Sequence, residues 1–216
     1  IDKTGFPKAI DVRGVALLSG PVKIALEDGK GAVQLAPSGP ADIKMTGKNA
    51  VSASALSKSG QLEVKTDLSV GFDCTLEYSI TLTPKHEVDL KKFSLEFPMS
   101  LPGDKLISAV REAPNKNEAG IEAEKRRVKM NVADDKPVML GFCPIYWIGD
   151  TKRGLSWSFE GVRDWHVSPG RELVFNPKNT VFSINFIDNP TKLSKPVVYK
   201  FYLNVTPLRT MPKDWR

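Results

Sequence analysis

Leu62-Glu63-Val64-Lys65-Thr66-Asp67-Leu68-Ser69-Val70-Gly71-Phe72-Asp73-Cys74-Thr75-Leu76-Glu77-Tyr78-Ser79-Ile80-Thr81-Leu82 decides the fold class. Every even position but Thr66 is apolar, and the odd positions are polar or glycine. Side chains of an extended chain alternate between two faces, so this period of two predicts a half-buried antiparallel sheet. Fully extended, the stretch would run ~70 Å at ~3.3 Å per residue, longer than ordinary strands. A bend or split near Gly71 is expected, and Pro84 ends the run. Cys74 lies on the apolar parity, which predicts a buried free thiol.

The same alternation returns in Phe93, Leu95, Phe97 and Met99, in Leu155, Trp157 and Phe159, and in Phe182, Ile184 and Phe186. Pro98 marks an edge strand or a strand end. Val198 to Val205 adds a β-branched and aromatic segment, and clusters such as Pro102-Gly103-Asp104 and Asp188-Asn189-Pro190 supply turns. Residues 115–129 alone have a helix-compatible composition, weakened by Gly120 and poor apolar periodicity. The expectation is an all-β chain, a large antiparallel β-sandwich with few or no helices.

Across 216 residues the composition is ordinary for a globular chain, with 41% hydrophobic and 26% charged side chains. No apolar run approaches the ~20 residues of a membrane-spanning helix, so no membrane partner is expected. The net charge of +6 falls entirely in residues 109–216. Its densest basic run, Lys125, Arg126, Arg127 and Lys129, is closely preceded by Glu122 and Glu124 and has no aromatic residue near it in sequence. That pattern reads as a solvated face rather than a nucleic-acid interface.

Catalytic and cofactor motifs are scarce. Phosphate-binding and dinucleotide loops are absent from the sequence. Gly154-Leu155-Ser156-Trp157-Ser158 approaches a nucleophile elbow, but Ser158 replaces the second glycine and Ser156 reads as an outward strand residue. His86 and His166 have no metal-ligand spacing, and the two cysteines cannot close a zinc site without histidines; no cofactor or metal is expected. Glu160 and Asp164 are the carboxylate pair most worth testing for glycoside hydrolysis, against a plainer role in solvation or in pairing with Arg153 or Arg163.

The tryptophans say more. Trp157 shares its parity with Leu155 and Phe159 and should be buried; Trp147 stands near a turn; Trp165 is the best exposed candidate. Gly149 and Asp150 form a plausible turn and Gly154 starts a return strand, a hairpin expected to bring Trp147 and Trp157 together. Arg153 would stack on an indole or bridge to Glu160. Exposed indole faces stack on sugar rings, so Trp147 and Trp165 with Asp150, Arg153 and Glu160 form a candidate carbohydrate-binding set.

Phe142-Cys143-Pro144-Ile145-Tyr146-Trp147-Ile148-Gly149-Asp150, followed by Arg153-Gly154-Leu155-Ser156-Trp157, Glu160 and Asp164-Trp165, resembles the N-terminal domain of glycoside hydrolase family 123-like proteins. Leu203-Asn204-Val205-Thr206-Pro207-Leu208-Arg209, with Pro212 and Trp215-Arg216, is similar to that family's exit from the domain. Phe6-Pro7, Ile10 and Leu17 to Val22 resemble an early segment. The resemblance implies a β-sandwich accessory domain over residues 1–207, lacking one or more leading strands, with 208–216 as an exit linker toward a (β/α) barrel. In that family the barrel performs hydrolysis with an Asp-Glu pair, a dipeptide this sequence does not contain. The implied function is therefore non-catalytic support of a barrel in the same chain of a secreted or periplasmic bacterial enzyme. The alternative is a carbohydrate-binding module around Trp147 and Trp165.

Overall fold

The computed structural model describes residues 1–100, 106–112, 123–129 and 136–207, of which 110–112 and 123–129 are described in backbone only. Strands numbered β1–β19 in chain order run through these residues, and no helix does. The larger sheet has ten strands. Its order is β12 (Ala123–Lys129), β11 (Leu106–Glu112), β14 (Ile145–Gly149), β15 (Gly154–Phe159), β19 (Val197–Thr206), β9 (Leu76–Pro84), β8 (Leu62–Val70) and β7 (Ala50–Lys58). The far edge of β7 is shared by β5 (Ala36–Pro37) and β6 (Asp42–Gly47). The smaller sheet of seven runs β13 (Val138–Met139), β16 (Leu173–Asn176), β17 (Val181–Ile187), β10 (Val88–Pro98), β3 (Lys23–Asp28) and β4 (Gly31–Ala32), with β18 (Thr191–Leu193) also on β10. A two-stranded ribbon, β1 (Asp11–Val12) and β2 (Val15–Ala16), completes the set. All pairings between these strands are antiparallel.

The expected all-β sandwich is what forms. The long alternating stretch splits at Gly71 into β8 and β9, and their side chains from Leu62, Val64 and Leu68 to Tyr78, Ile80 and Leu82 are buried. Pro98 is the last residue of β10, which is paired on both sides, so it ends a central strand rather than marking an edge. The helix-compatible segment gives strand β12 over Ala123–Lys129; residues 115–122 and the exit segment 208–216 lie outside the described residues.

Parity fails at one place. Phe72 is 38% exposed and Cys74 is exposed, with Cys74 at a positive φ of 63°. Residues 71–75 form the connection between β8 and β9, where the N–H of Cys74 donates to the carbonyl of Gly71 at 3.1 Å. Within a turn there is no ladder to enforce alternation, so the apolar parity there does not point inward. The Asp73 carboxylate accepts the Thr75 N–H at 3.1 Å and its hydroxyl at 2.9 Å, and these donors hold the carboxyl below its usual range. The other cysteine, Cys143, is buried and free.

Aromatic rings close the sandwich. Trp157 of the large sheet meets Phe97 edge-on at 5.3 Å and Phe182 at 4.5 Å, both from the small sheet. Tyr199 likewise meets Phe93 at 5.5 Å and Phe186 at 4.5 Å. Tyr78 is stacked between Phe6 and Phe201, and burial pushes its phenol well above the ordinary range. The large sheet is wider than its cover, so Ile43 (58% exposed) and Met45 (68%) on β6 project beyond the core.

Because Trp157 fills a fully buried slot, Trp157→Ala should cost about 3–5 kcal/mol. Trp157→Phe should cost much less, since it also removes an indole N–H that finds no acceptor. Urea unfolding of both variants checks this; an unchanged midpoint for the alanine variant would remove Trp157 from the core.

Candidate functional site

The candidate site is built on the β14–β15 hairpin. Asp150 shapes its turn: the Asp150 N–H donates to the Arg153 carbonyl at 2.8 Å, and Asp150 Oδ1 accepts the N–H groups of Lys152 and Arg153 at 2.7 and 2.9 Å. Oδ2 lies 3.7 Å from Arg153 Nε, with the two side chains only 12% and 19% exposed. Arg153 also donates to the carbonyl of Val12 at 3.4 Å. The guanidinium is therefore tied to Asp150 and to the β1–β2 ribbon, and the expected stack on an indole or bridge to Glu160 is replaced by these contacts.

Register decides where the tryptophans go. Tyr146 pairs with Trp157 and Trp147 pairs with Ser156. The hairpin forms as expected, but its two tryptophans are on opposite faces, since directly paired residues share a face and neighbours alternate. Trp157 and Tyr146 are buried, whereas Trp147 is outward and half-buried. Its ring lies across the paired glycines Gly149 and Gly154: a Cβ on Gly154 would sit 2.6 Å from indole carbons of Trp147 and from the Ile148 carbonyl. The indole N–H donates to Thr206 Oγ1 at 2.9 Å, and that hydroxyl donates to the Gly154 carbonyl at 3.1 Å. Beside the ring is an open hollow of about 530 Å³, lined by Trp147, Ser108, Asp150, Thr151, Lys152 and Arg153 among others.

Of the five residues proposed from sequence, Trp147, Asp150 and Arg153 meet at this hollow, and Trp165 and Glu160 do not line it. Trp165, expected to be the most exposed, is half-buried as a plug, edge-on to Phe142, Phe159 and Phe186 at 5.9, 5.5 and 4.8 Å. Glu160 is exposed and accepts the Tyr202 hydroxyl at 2.6 Å; that bond pushes the Tyr202 phenol up to about 12. Ser156 gives its hydroxyl to the Tyr146 carbonyl at 3.0 Å, as an outward strand residue should. Asp164 is exposed at a φ of 64°. Among the described residues no cluster of histidine, cysteine and carboxylates has the spacing of a metal site. Thr206, Ser108 and Tyr202 were missed by sequence reading, because only the strand order brings β11 and β19 beside the hairpin.

Residues 1–169 match the family model described as glycoside hydrolase 123, third domain. The chain belongs to that family. Among solved structures it is similar to the Slr1438 protein of Synechocystis, at 9% identity and a TM-score of 0.56, over 95% of this chain and 90% of that one. A β-arabinopyranosidase gives 14% identity and a TM-score of 0.56, over 91% of this chain but only 36% of the other. A putative aldose 1-epimerase of Escherichia coli gives 9% and 0.53, over 94% and 93%. At such identities the likeness is one of fold alone. Among curated proteins none matches the chain. The match makes it one domain of a glycoside hydrolase family.

Two substitutions test the geometry. Gly154→Ala should displace the Trp147 ring, costing about 1–3 kcal/mol for a methyl forced into a filled space and shifting tryptophan emission. Glu160→Gln should lower the Tyr202 pKa from about 12 toward the ordinary phenol value, read by absorbance in a spectrophotometric pH titration.

Proposed function

We propose that this chain is a non-catalytic accessory domain of a multidomain glycoside hydrolase, packing against and supporting a (β/α) barrel of the same polypeptide. Family membership carries the reading. The description "third domain" supports a place among several domains and gives no support to a leading, N-terminal one. Two side chains weighed for bond cleavage also favour it by their engagements, Ser156 with a backbone carbonyl and Glu160 with Tyr202. The apolar shelf at Ile43 and Met45 offers surface to a neighbouring domain. The proposal extends to a secreted or periplasmic bacterial enzyme, with residues 208–216 as the connection onward.

A second reading, saccharide binding by the domain itself, is favoured by the outward Trp147 ring and the hollow beside it.

The decisive comparison is between this chain and its full-length parent on aryl glycosides. The parent should release chromophore and the 216-residue chain should not, and deletion of the domain should lower the parent's melting temperature. Release by this chain alone, abolished by Glu160→Gln, would overturn the proposal.

A further inference from the structure

The basic run that looks solvated in sequence is sorted by the sheet. In the β11–β12 register Ser108 pairs with Arg127, Leu106 with Lys129 and Val110 with Lys125. In the β11–β14 register Ser108 pairs with Trp147, Leu106 with Gly149 and Val110 with Ile145. Paired residues share a face, so positions 125, 127 and 129 belong to the outward face that Trp147 occupies, while Glu124 and Arg126 alternate to the other. Glu112 is the acidic position of β11 on that face, at the end away from Trp147. The aromatic residue absent from the linear neighbourhood is thus two strands away in space.

Charge around the hollow has the same sign. The Asp150 carboxylate is spent on two backbone N–H groups and on Arg153. Lys152 is exposed and has no ion-pair partner among the described residues, and Arg153 Nε donates no hydrogen bond. Elsewhere on the same outward face Lys44 pairs with Asp42 and Lys65 with Asp67, while the exposed Lys200 stands alone without a basic neighbour opposite it. Lys152 and the three basic positions of β12 therefore share the face of the one outward indole of the hairpin. That indole is held in advance by the glycine pair and by Thr206, which lowers the ordering cost of stacking a ligand on it. A volume of about 530 Å³ suits a short oligosaccharide.

We propose that the hollow beside Trp147 binds an acidic oligosaccharide built of uronic-acid units, with one sugar ring on the open face of the indole and carboxylates directed toward Lys152 and the basic positions of β12. This rests on the saccharide-binding reading and narrows it to a chemical class. An aromatic ring beside basic residues also suits single-stranded nucleic acid; membership in a glycoside hydrolase family favours the sugar.

The test titrates the 216-residue chain with tetragalacturonate, with neutral chitotetraose and with oligo-dT, following tryptophan fluorescence and amide chemical shifts. Tetragalacturonate should bind saturably, at least tenfold tighter than chitotetraose, weaken as salt rises, and shift resonances around Trp147 and Lys152. Lys152→Glu combined with Arg127→Glu should weaken it at least tenfold with the circular dichroism unchanged. Because Trp147→Ala removes a packed ring, the charge variant keeps the proposal falsifiable if the alanine variant unfolds. Equal binding of chitotetraose at the same residues would overturn the acidic class and leave the saccharide reading standing. Binding of neither sugar would overturn both, and tighter binding of oligo-dT would replace the sugar with nucleic acid.

Discussion

The interlock of aromatic rings between the two sheets sets the parity of the strands that carry the site. Trp157 is wedged against Phe97 and Phe182 while its own N–H goes unbonded. Leaving that donor unpaired costs about 1–3 kcal/mol. Burying an indole of ~150–250 Å² returns about 4–6 kcal/mol at 25 cal/mol per Å². Packing wins, and a slip of one residue in β15 would lose it by turning Leu155, Trp157 and Phe159 to water. With β15 fixed, Tyr146 must face inward with Trp157, and Trp147 must face outward.

An outward tryptophan on a sheet ordinarily lies over neighbouring side chains. Here the neighbouring strand positions are the paired glycines Gly149 and Gly154, and the ring settles on bare backbone. The glycines therefore do more than permit a turn: they set the height of the indole and make room for it. Thr206, one strand further, fixes the ring's rotation by accepting the indole proton. Asp150 fixes the turn from below. Each of these four residues has a local reason, and the rigid aromatic face at the edge of the hollow is their joint result.

Much of the scaffold is legible in the sequence because period two is a local signal. It placed β8 and β9, the break at Gly71, the end of β10 at Pro98 and the burial of Trp157. It misled at Phe72 and Cys74, where the chain has left the ladder, and nothing in the parity announces that departure. The candidate site was only half legible. Asp150, Arg153 and Trp147 stand within seven residues, so their proximity follows from one hairpin, but pairing Trp147 with Ser156 rather than Trp157 depends on register. Trp165 looked exposed between Asp164 and His166, yet it plugs a gap among Phe142, Phe159 and Phe186 that belong to separate segments. Long-range strand order likewise governs the basic run, whose positions 125, 127 and 129 are placed on the face of Trp147 only by the pairing of β11 with both β12 and β14.

The same strand order bears on function. Fold likeness to proteins of unrelated description carries no activity, so function has to be argued from surfaces. Along one inward row, Phe201, Tyr78, Leu68 and Ala53 are buried, and the next residue, Ile43, is open. The apolar shelf is therefore at the β6 end of the ten-stranded sheet, whereas the Trp147 hollow is at the β11–β14 end and on the opposite face. A neighbouring domain seated on the shelf would cover apolar surface without obstructing the hollow. Structural support and ligand binding thus make separate demands on this sandwich, one met by an uncovered part of its inward face and the other by the charge and aromatic content of its outward one.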